Sequence, residues 1–255
     1  MLYQTIQYLK FLLKSTNQHG VHSPFVYNLV TKCFYNKTKF KAYNSLKSYK
    51  KSLLKNKTRI SIIDLGPGSK KTTSKHRTIA EIAKTSGTTL KRAKLLFRLS
   101  KYFKPTNVLE LGTSLGIATH AIAQANNNSH ILSIEGCPNI SKFSKDNLKN
   151  FKNIQIKNGD FATILPKLKN QTFDMIFFDG NHQKETTLKY FKTLLPTTHN
   201  NTIFIFDDIY WSKGMTEAWE TIKQHPKVTV TINTFYWGFV FFRKEQAKEH
   251  FVIRV

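Results

Sequence analysis

The chain has 255 residues, with 40 Lys plus Arg against 15 Asp plus Glu and a formal net charge of +25. A hydrophobic content of 40% supplies a core and excludes a disordered basic tail, while two cysteines, Cys33 and Cys137, exclude a disulfide framework. No apolar run reaches the roughly 18 residues of a membrane span, so no membrane partner is expected, and so few thiols point to a reducing cytoplasm.

The opening stretch MLYQTIQYLKFLLKSTNQ has no cationic segment ahead of its apolar residues and no small-residue cleavage site. It reads as an amphipathic helix and not as a signal peptide. Spacing predicts helices near 2–16, 24–35, 42–55, 76–85 and 89–103, with Arg59–Leu65 a strand or a loop. Ser23 before Pro24 reads as a helix cap with proline at the first helical position. The sharper alternative is that His22, near His19, closes over a site. Residues 1–104 hold 23 basic residues and two acids, Asp64 and Glu81, whereas residues 105–255 hold 17 basic and 13 acidic. Of the 40 basic residues 34 are Lys, as AT-rich codons would produce, but codon bias does not explain the asymmetry. Residues 1–104 are therefore read as a basic helical extension or lid, and 105–255 as the core.

From Asn107 onward short apolar runs alternate with amphipathic ones. Asn107–Leu111, His130–Glu135, Asn153–Lys157, Phe173–Phe178 and Thr202–Phe206 read as strands. Helical stretches lie near 115–126, 138–150, 161–168, 182–195 and 212–224. Near-continuous apolar strands alternating with helices predict a doubly wound, mostly parallel sheet. Val228–Asn233 and Tyr236–Phe242 have no helix between them and predict a terminal antiparallel hairpin. The expectation is a Rossmann-like, seven-stranded α/β core with a C-terminal hairpin and a helical N-terminal extension.

The segment VLELGTSLGIAT runs from a strand through a turn into a helix. Gly112 permits the tight turn, Ser114 is small, and Gly116 allows close helix–strand approach. Glu135 ends the next strand, 23 residues after Gly112, where a carboxylate can accept both hydroxyl hydrogens of a ribose. Asn158-Gly159-Asp160 follows the third strand, Asp179 ends the fourth, and Asp207 and Asp208 end the fifth. Counting Glu110, five consecutive strands deliver an acid to the rim where open parallel sheets bind ligands.

This constellation resembles class I S-adenosylmethionine-dependent methyltransferases over about 107–242. Glu110-x-Gly112-x-x-x-Gly116 is similar to their first motif, Glu135 to the ribose acid, and Gly159-Asp160 to the adenine-side motif. The third glycine that a nicotinamide dinucleotide needs for its pyrophosphate is missing, which argues against a nicotinamide dehydrogenase. The resemblance implies S-adenosylmethionine as cofactor, held by Glu110, Gly112, Thr113, Ser114, Gly116, Glu135, Gly136, Asp160, Phe161 and Asp179. FDMIFFDGNHQKETTLKYF and IFIFDDIYW resemble the small O-methyltransferase-like branch. HGVHSPFVY and DLGPGS resemble an extension of uncharacterised bacterial methyltransferases. Asp64–Ser69 also resembles a glycine motif, but no second strand with an acid follows it, so it is read as a loop or lid.

Methyl transfer needs an aligned nucleophile and, for a hydroxyl or amine, a base. His182, three residues after Asp179, is assigned as base or acceptor contact, against the plainer alternative of a structural residue at a helix start. Asp208 is the second catalytic assignment. By the resemblance, Asp179, Asp207 and Asp208 match positions where metal-dependent relatives hold a divalent cation with two Asp and one Asn. Asp208 stands where Asn is expected, so Mg²⁺ is left open and not favoured; the alternatives are that Asp208 is a base or that one of these acids caps the helix near Trp211. Tyr210, Trp211, Tyr236 and Trp237 form either an aromatic wall or ordinary core. The function expected is methyl transfer to a hydroxyl or amine of a small molecule. The alternatives are a nucleic-acid methyltransferase using residues 1–104, or a non-catalytic binding protein. Oligomeric state is not legible.

Overall fold

Strands and amphipathic helices alternate along the chain in a computed structural model that describes residues 2–63 and 76–255. Helix α1 (Leu2–Lys14) leads to α2 (Pro24–Leu29), which runs on as a π-helical turn over Val30–Phe34. The Ser23 side chain accepts from the Val26 amide with Pro24 opening the helix, so the cap reading holds for Ser23. Next come α3 (Ala42–Lys55), β1 (Arg59–Ser61), β2 (His76–Thr78), α4 (Ile79–Thr85) and α5 (Leu90–Phe103). Thr78 and Glu81 form a reciprocal capping box at α4. The Asp64–Ser69 motif lies outside the described residues.

The core elements follow in strict alternation. They are β3 (Asn107–Leu111), α6 (Ile117–Ala125), β4 (His130–Glu135), α7 (Pro138–Leu148) and β5 (Ile154–Asn158). Then come α8 (Phe161–Ile164), β6 (Met175–Phe178), α9 (Lys184–Leu194), β7 (Ile203–Asp207) and α10 (Lys213–Gln224). The chain closes with β8 (Val230–Asn233), β9 (Trp237–Phe241) and β10 (Glu249–Val252).

Contacts divide the chain into two units: residues up to Tyr35 together with Ala162–Val255, and Asn36–Phe161. The divisions fall after Tyr35 and Phe161, whereas charge and pattern divide the sequence at residue 104. In the Asn36–Phe161 unit, α5 and α3 both lie against α6. Leu95, Leu96 and Leu99 of α5 are buried along with Leu46 and Leu53 of α3. Each such side chain contributes about 1.5–3 kcal/mol on burial, which ties the basic helices to the first core strands. There β3 pairs parallel with β4, and β4 parallel with β5. A small antiparallel pair, β1 with β2, stands apart.

In the other unit β6 runs parallel to β7, β7 antiparallel to β9, and β9 antiparallel to β8. The hairpin is present, with Asn233 opposite Gly238. A Cβ at Gly238 would stand 2.5 Å from the Trp219 ring, so glycine lets α10 sit on this strand. Here the structure adds a strand: β10 pairs parallel with β8, and Ile253 bridges to Thr16. The α/β core therefore has eight strands among the described residues instead of seven. The fold is Rossmann-like and mostly parallel. No helix among the described residues is long and apolar enough to cross a membrane.

Candidate active site

The glycine loop after β3 is held in a conformation that few residues adopt. Gly112 has φ 101°, Ser114 φ 48° and Gly116 φ 72°. The Gly112 amide donates to Ile134 O at 2.9 Å, docking the loop on the end of β4. Gly116 serves helix packing: a Cβ there would lie 2.6 Å from Leu148 Cδ1 of α7. Sequence suggested helix–strand proximity, and the observed neighbour is a helix.

Glu135, at the end of β4, is oriented by two backbone donors. Ser114 N donates to its Oε2 at 2.8 Å and Cys137 N to its Oε1 at 2.9 Å. Each carboxylate oxygen is an acceptor with two lone pairs. Next to it, Asn158 Nδ2 donates to the carbonyls of Glu135 and Gly136. Gly159 N donates to Glu135 O and has φ 152°. Asp160 is exposed and Phe161 half-buried just beyond.

Glu110 is fully buried in the middle of an apolar strand. Thr119 Oγ1 and Ser133 Oγ both donate to its Oε2 at 2.5 Å, and Thr113 Oγ1 lies 2.5 Å from Ser133 Oγ. With Ser133 donating to the carboxylate, Thr113 donates to Ser133, giving a directed chain of hydroxyls. Oε1 is buried and has no protein partner. Burial pushes the Glu110 carboxyl up to about 7, the two hydroxyls pull it down, and the neighbouring Glu135 charge adds a small upward push. Thr119 and Ser133 were missed from sequence, where the only signal was a hydroxyl inside each of two apolar elements.

In the other unit, three turns at the carboxyl ends of strands carry the remaining candidates. Asp179 follows β6 and is followed by Asn181 at φ 54°. Gln183 N and Thr187 Oγ1 both donate to Asn181 O, which folds this turn onto α9. Asn181 Oδ1 is buried without a partner; a Gly-Asn dipeptide after a strand was its sequence signal. His182 lies one residue ahead of the Gln183 cap position of α9, with its ring centroid 6.4 Å from that of Trp211. The β6 and β7 turns thus meet through this pair.

Asp207 is buried and Asp208 sits at φ 53°, its carbonyl accepting from Trp211 N. Ser212 caps α10, its side chain accepting from Met215 N, so none of the acids is that cap. The aromatic residues separate. Trp237 is buried against Phe177 and Phe239. Tyr210 stacks on Phe235 at 5.3 Å, and Tyr236 is exposed. Among the described residues no group of three or more His, Cys, Asp or Glu side chains is placed to hold a metal ion.

The α/β alternation, the glycine loop after β3, the acid ending β4 and the missing third glycine together resemble a class I S-adenosylmethionine-dependent methyltransferase domain. Comparison with known proteins agrees: residues 109–209 match the family described as a methyltransferase domain. Catechol O-methyltransferase of Niastella koreensis is 29% identical over 125 residues, covering 46% of this chain. The match spans 56% of that relative's length. Among solved structures, an S-adenosylhomocysteine-bound methyltransferase from Podospora anserina superposes with TM-score 0.58 at 14% identity, covering 88% of this chain and 97% of its own. An O-methyltransferase from Streptomyces achromogenes in complex with S-adenosylmethionine gives TM-score 0.56 at 16% identity, covering 81% and 91%. Residues 109–209 are thus similar to a methyltransferase domain, on a fold shared with these solved methyltransferases.

Proposed function

We propose that the protein transfers a methyl group from S-adenosylmethionine to a hydroxyl of a small-molecule acceptor. The observation that carries this reading is Glu110, whose buried Oε1 lacks a partner, beside Glu135, whose carboxylate two backbone amides orient at the end of β4. These donor-poor, acceptor-rich positions fit an ammonium group and a ribose diol, respectively. The cofactor, when bound, supplies an electrophilic methyl on a sulfonium.

The chain's own residues do the rest. Glu135 would hold the ribose hydroxyls, and Gly112 with Ser114 would let the backbone approach closely. Gly136, Asp160 and Phe161 would flank the adenine, with Asp160 accepting from its amino group. Glu110 would accept from the amino group, and the hydroxyl chain behind it keeps Oε2 satisfied so that Oε1 is the atom on offer. In the other unit Asp179, His182 and Asp208 stand at strand carboxyl ends. There His182 Nε2 or Nδ1 would take the proton of the acceptor hydroxyl, and Trp211 beside it would shield that proton transfer from water. The Niastella relative's acceptor class, a catechol by its name, favours a hydroxyl over an amine.

The test is calorimetry with S-adenosylmethionine and with S-adenosylhomocysteine. Wild type should bind both, and Glu135→Ala should bind at least about tenfold more weakly, the loss of a charge-assisted acceptor. Failure of the wild type to bind either would overturn the assignment.

A further inference from the structure

Helix α1 presents an apolar stripe outward. Leu2, Ile6, Leu9 and Leu13 are 76%, 42%, 56% and 89% exposed. Their spacings place them within one narrow arc of the helix. The opposite arc is already used: Phe11 is buried, Phe11 and Tyr8 pack on Phe235, and Tyr3 OH donates to Thr216 Oγ1. The stripe therefore covers nothing in its own unit, and four clustered large aliphatics are more than scattered surface residues account for.

Beside the stripe is a pocket of about 240 Å³, lined among others by Lys10, Lys14, Gln7, Tyr210 and Asn233. It is rich in donors. Asn233 Nδ2 donates to Tyr210 OH at 2.6 Å, so the Tyr210 hydroxyl hydrogen is left for another acceptor. The one acid in the lining, Glu220, is paired with Lys223 at 2.7 Å. The two lysines are thus the unbalanced charges of this pocket, and α1 contains no acid.

We propose that α1 is an interfacial helix that docks the protein on an anionic lipid surface. Leu2, Ile6, Leu9 and Leu13 enter the acyl boundary, and a lipid phosphate is held by Lys10 and Lys14 at the mouth of the pocket. The geometry is that of an amphipathic helix lying in the plane of a membrane, with its lysines reaching sideways to the headgroups. Charge complementarity selects this occupant. A second copy of the chain would bring another +25 against the first and, in α1, no carboxylate to meet Lys10 or Lys14. An anionic leaflet attracts lysines held near it.

The experiment is co-sedimentation of the full chain with vesicles of phosphatidylcholine alone or mixed with phosphatidylglycerol. Binding to the anionic vesicles should exceed binding to neutral ones at least about tenfold and weaken with salt. A Leu9→Glu, Leu13→Glu double variant should lose binding by a similar factor with an unchanged unfolding midpoint, because both side chains are exposed. Lys10→Glu, Lys14→Glu should abolish the preference for anionic lipid. Absence of wild-type binding overturns the proposal. Wild-type-like vesicle binding by the leucine variant, together with full displacement by inorganic phosphate, also overturns it and leaves a soluble-anion pocket. So does a wild-type dimer in sedimentation velocity that the leucine variant converts to monomer without any vesicle effect.

Discussion

Two buried ionisable side chains in the Asn36–Phe161 unit have opposite pH signatures. His120 of α6 is 4% exposed, wedged edge-on between Tyr49 and Phe151, and burial lowers its pKa from 6.5 to about 4. A neutral imidazole is favoured in the fold, so its contribution is complete above pH 6.5 and is lost as pH falls toward 4. Glu110 runs the other way: its raised pKa favours the protonated form, so its contribution is complete below about 4.5 and is lost as pH rises through about 7. Urea unfolding across pH should show wild type losing stability relative to His120→Phe between pH 6.5 and 4. Relative to Glu110→Gln the loss should fall between 4.5 and 7, each on the order of 3 kcal/mol at most. A flat difference for either variant would contradict its assignment. Neither behaviour was legible in the sequence. Glu110 was recognisable as a motif acid, but its protonation depends on Thr119 and Ser133, nine and 23 residues away.

At the scale of elements, the strand–helix alternation from Asn107 to Gln224 was readable because burial on both faces writes a local apolar pattern. The glycine loop was readable as well, though not the reason for each glycine. Gly116→Ala combines a φ of 72° with a Cβ placed 2.6 Å from Leu148 Cδ1. It should cost about 1–3 kcal/mol in a denaturation curve. Adding Leu148→Ala should recover the steric share of that loss and leave the backbone share. Strand β10 escaped notice because it is four residues long with two exposed polar ones, Glu249 and His250. Its partner β8 supplies the hydrogen bonds that make it a strand. The alternative of an acid cap at α10 fell for a similar reason: acids and Ser212 all precede the helix, and only the Ser212–Met215 hydrogen bond selects among them.

The whole molecule is defined electrostatically by its +25. Such an excess repels itself in the folded state, and added salt screens that repulsion. The thermal unfolding midpoint should therefore rise by a few degrees between low salt and about 0.2 M. A midpoint that falls over this range would show that attractive pairs dominate instead. The ion pairs seen, such as Lys142–Asp146 and Lys184–Glu217, are exposed, and such pairs contribute little.

The sequence by itself determined the α/β class, the terminal hairpin, the Ser23 cap and the line of acids at strand ends. Each of these is written in local spacing, and local spacing survives without knowledge of distant contacts. Only the tertiary structure decided that α3–α5 belong with the first core strands while α1 and α2 belong with the last. It also decided that Glu110 is buried with one oxygen unpartnered, and that the outer face of α1 covers nothing in its unit. Those facts depend on which surfaces exclude water from one another, and burial is settled by contacts between residues far apart in the chain.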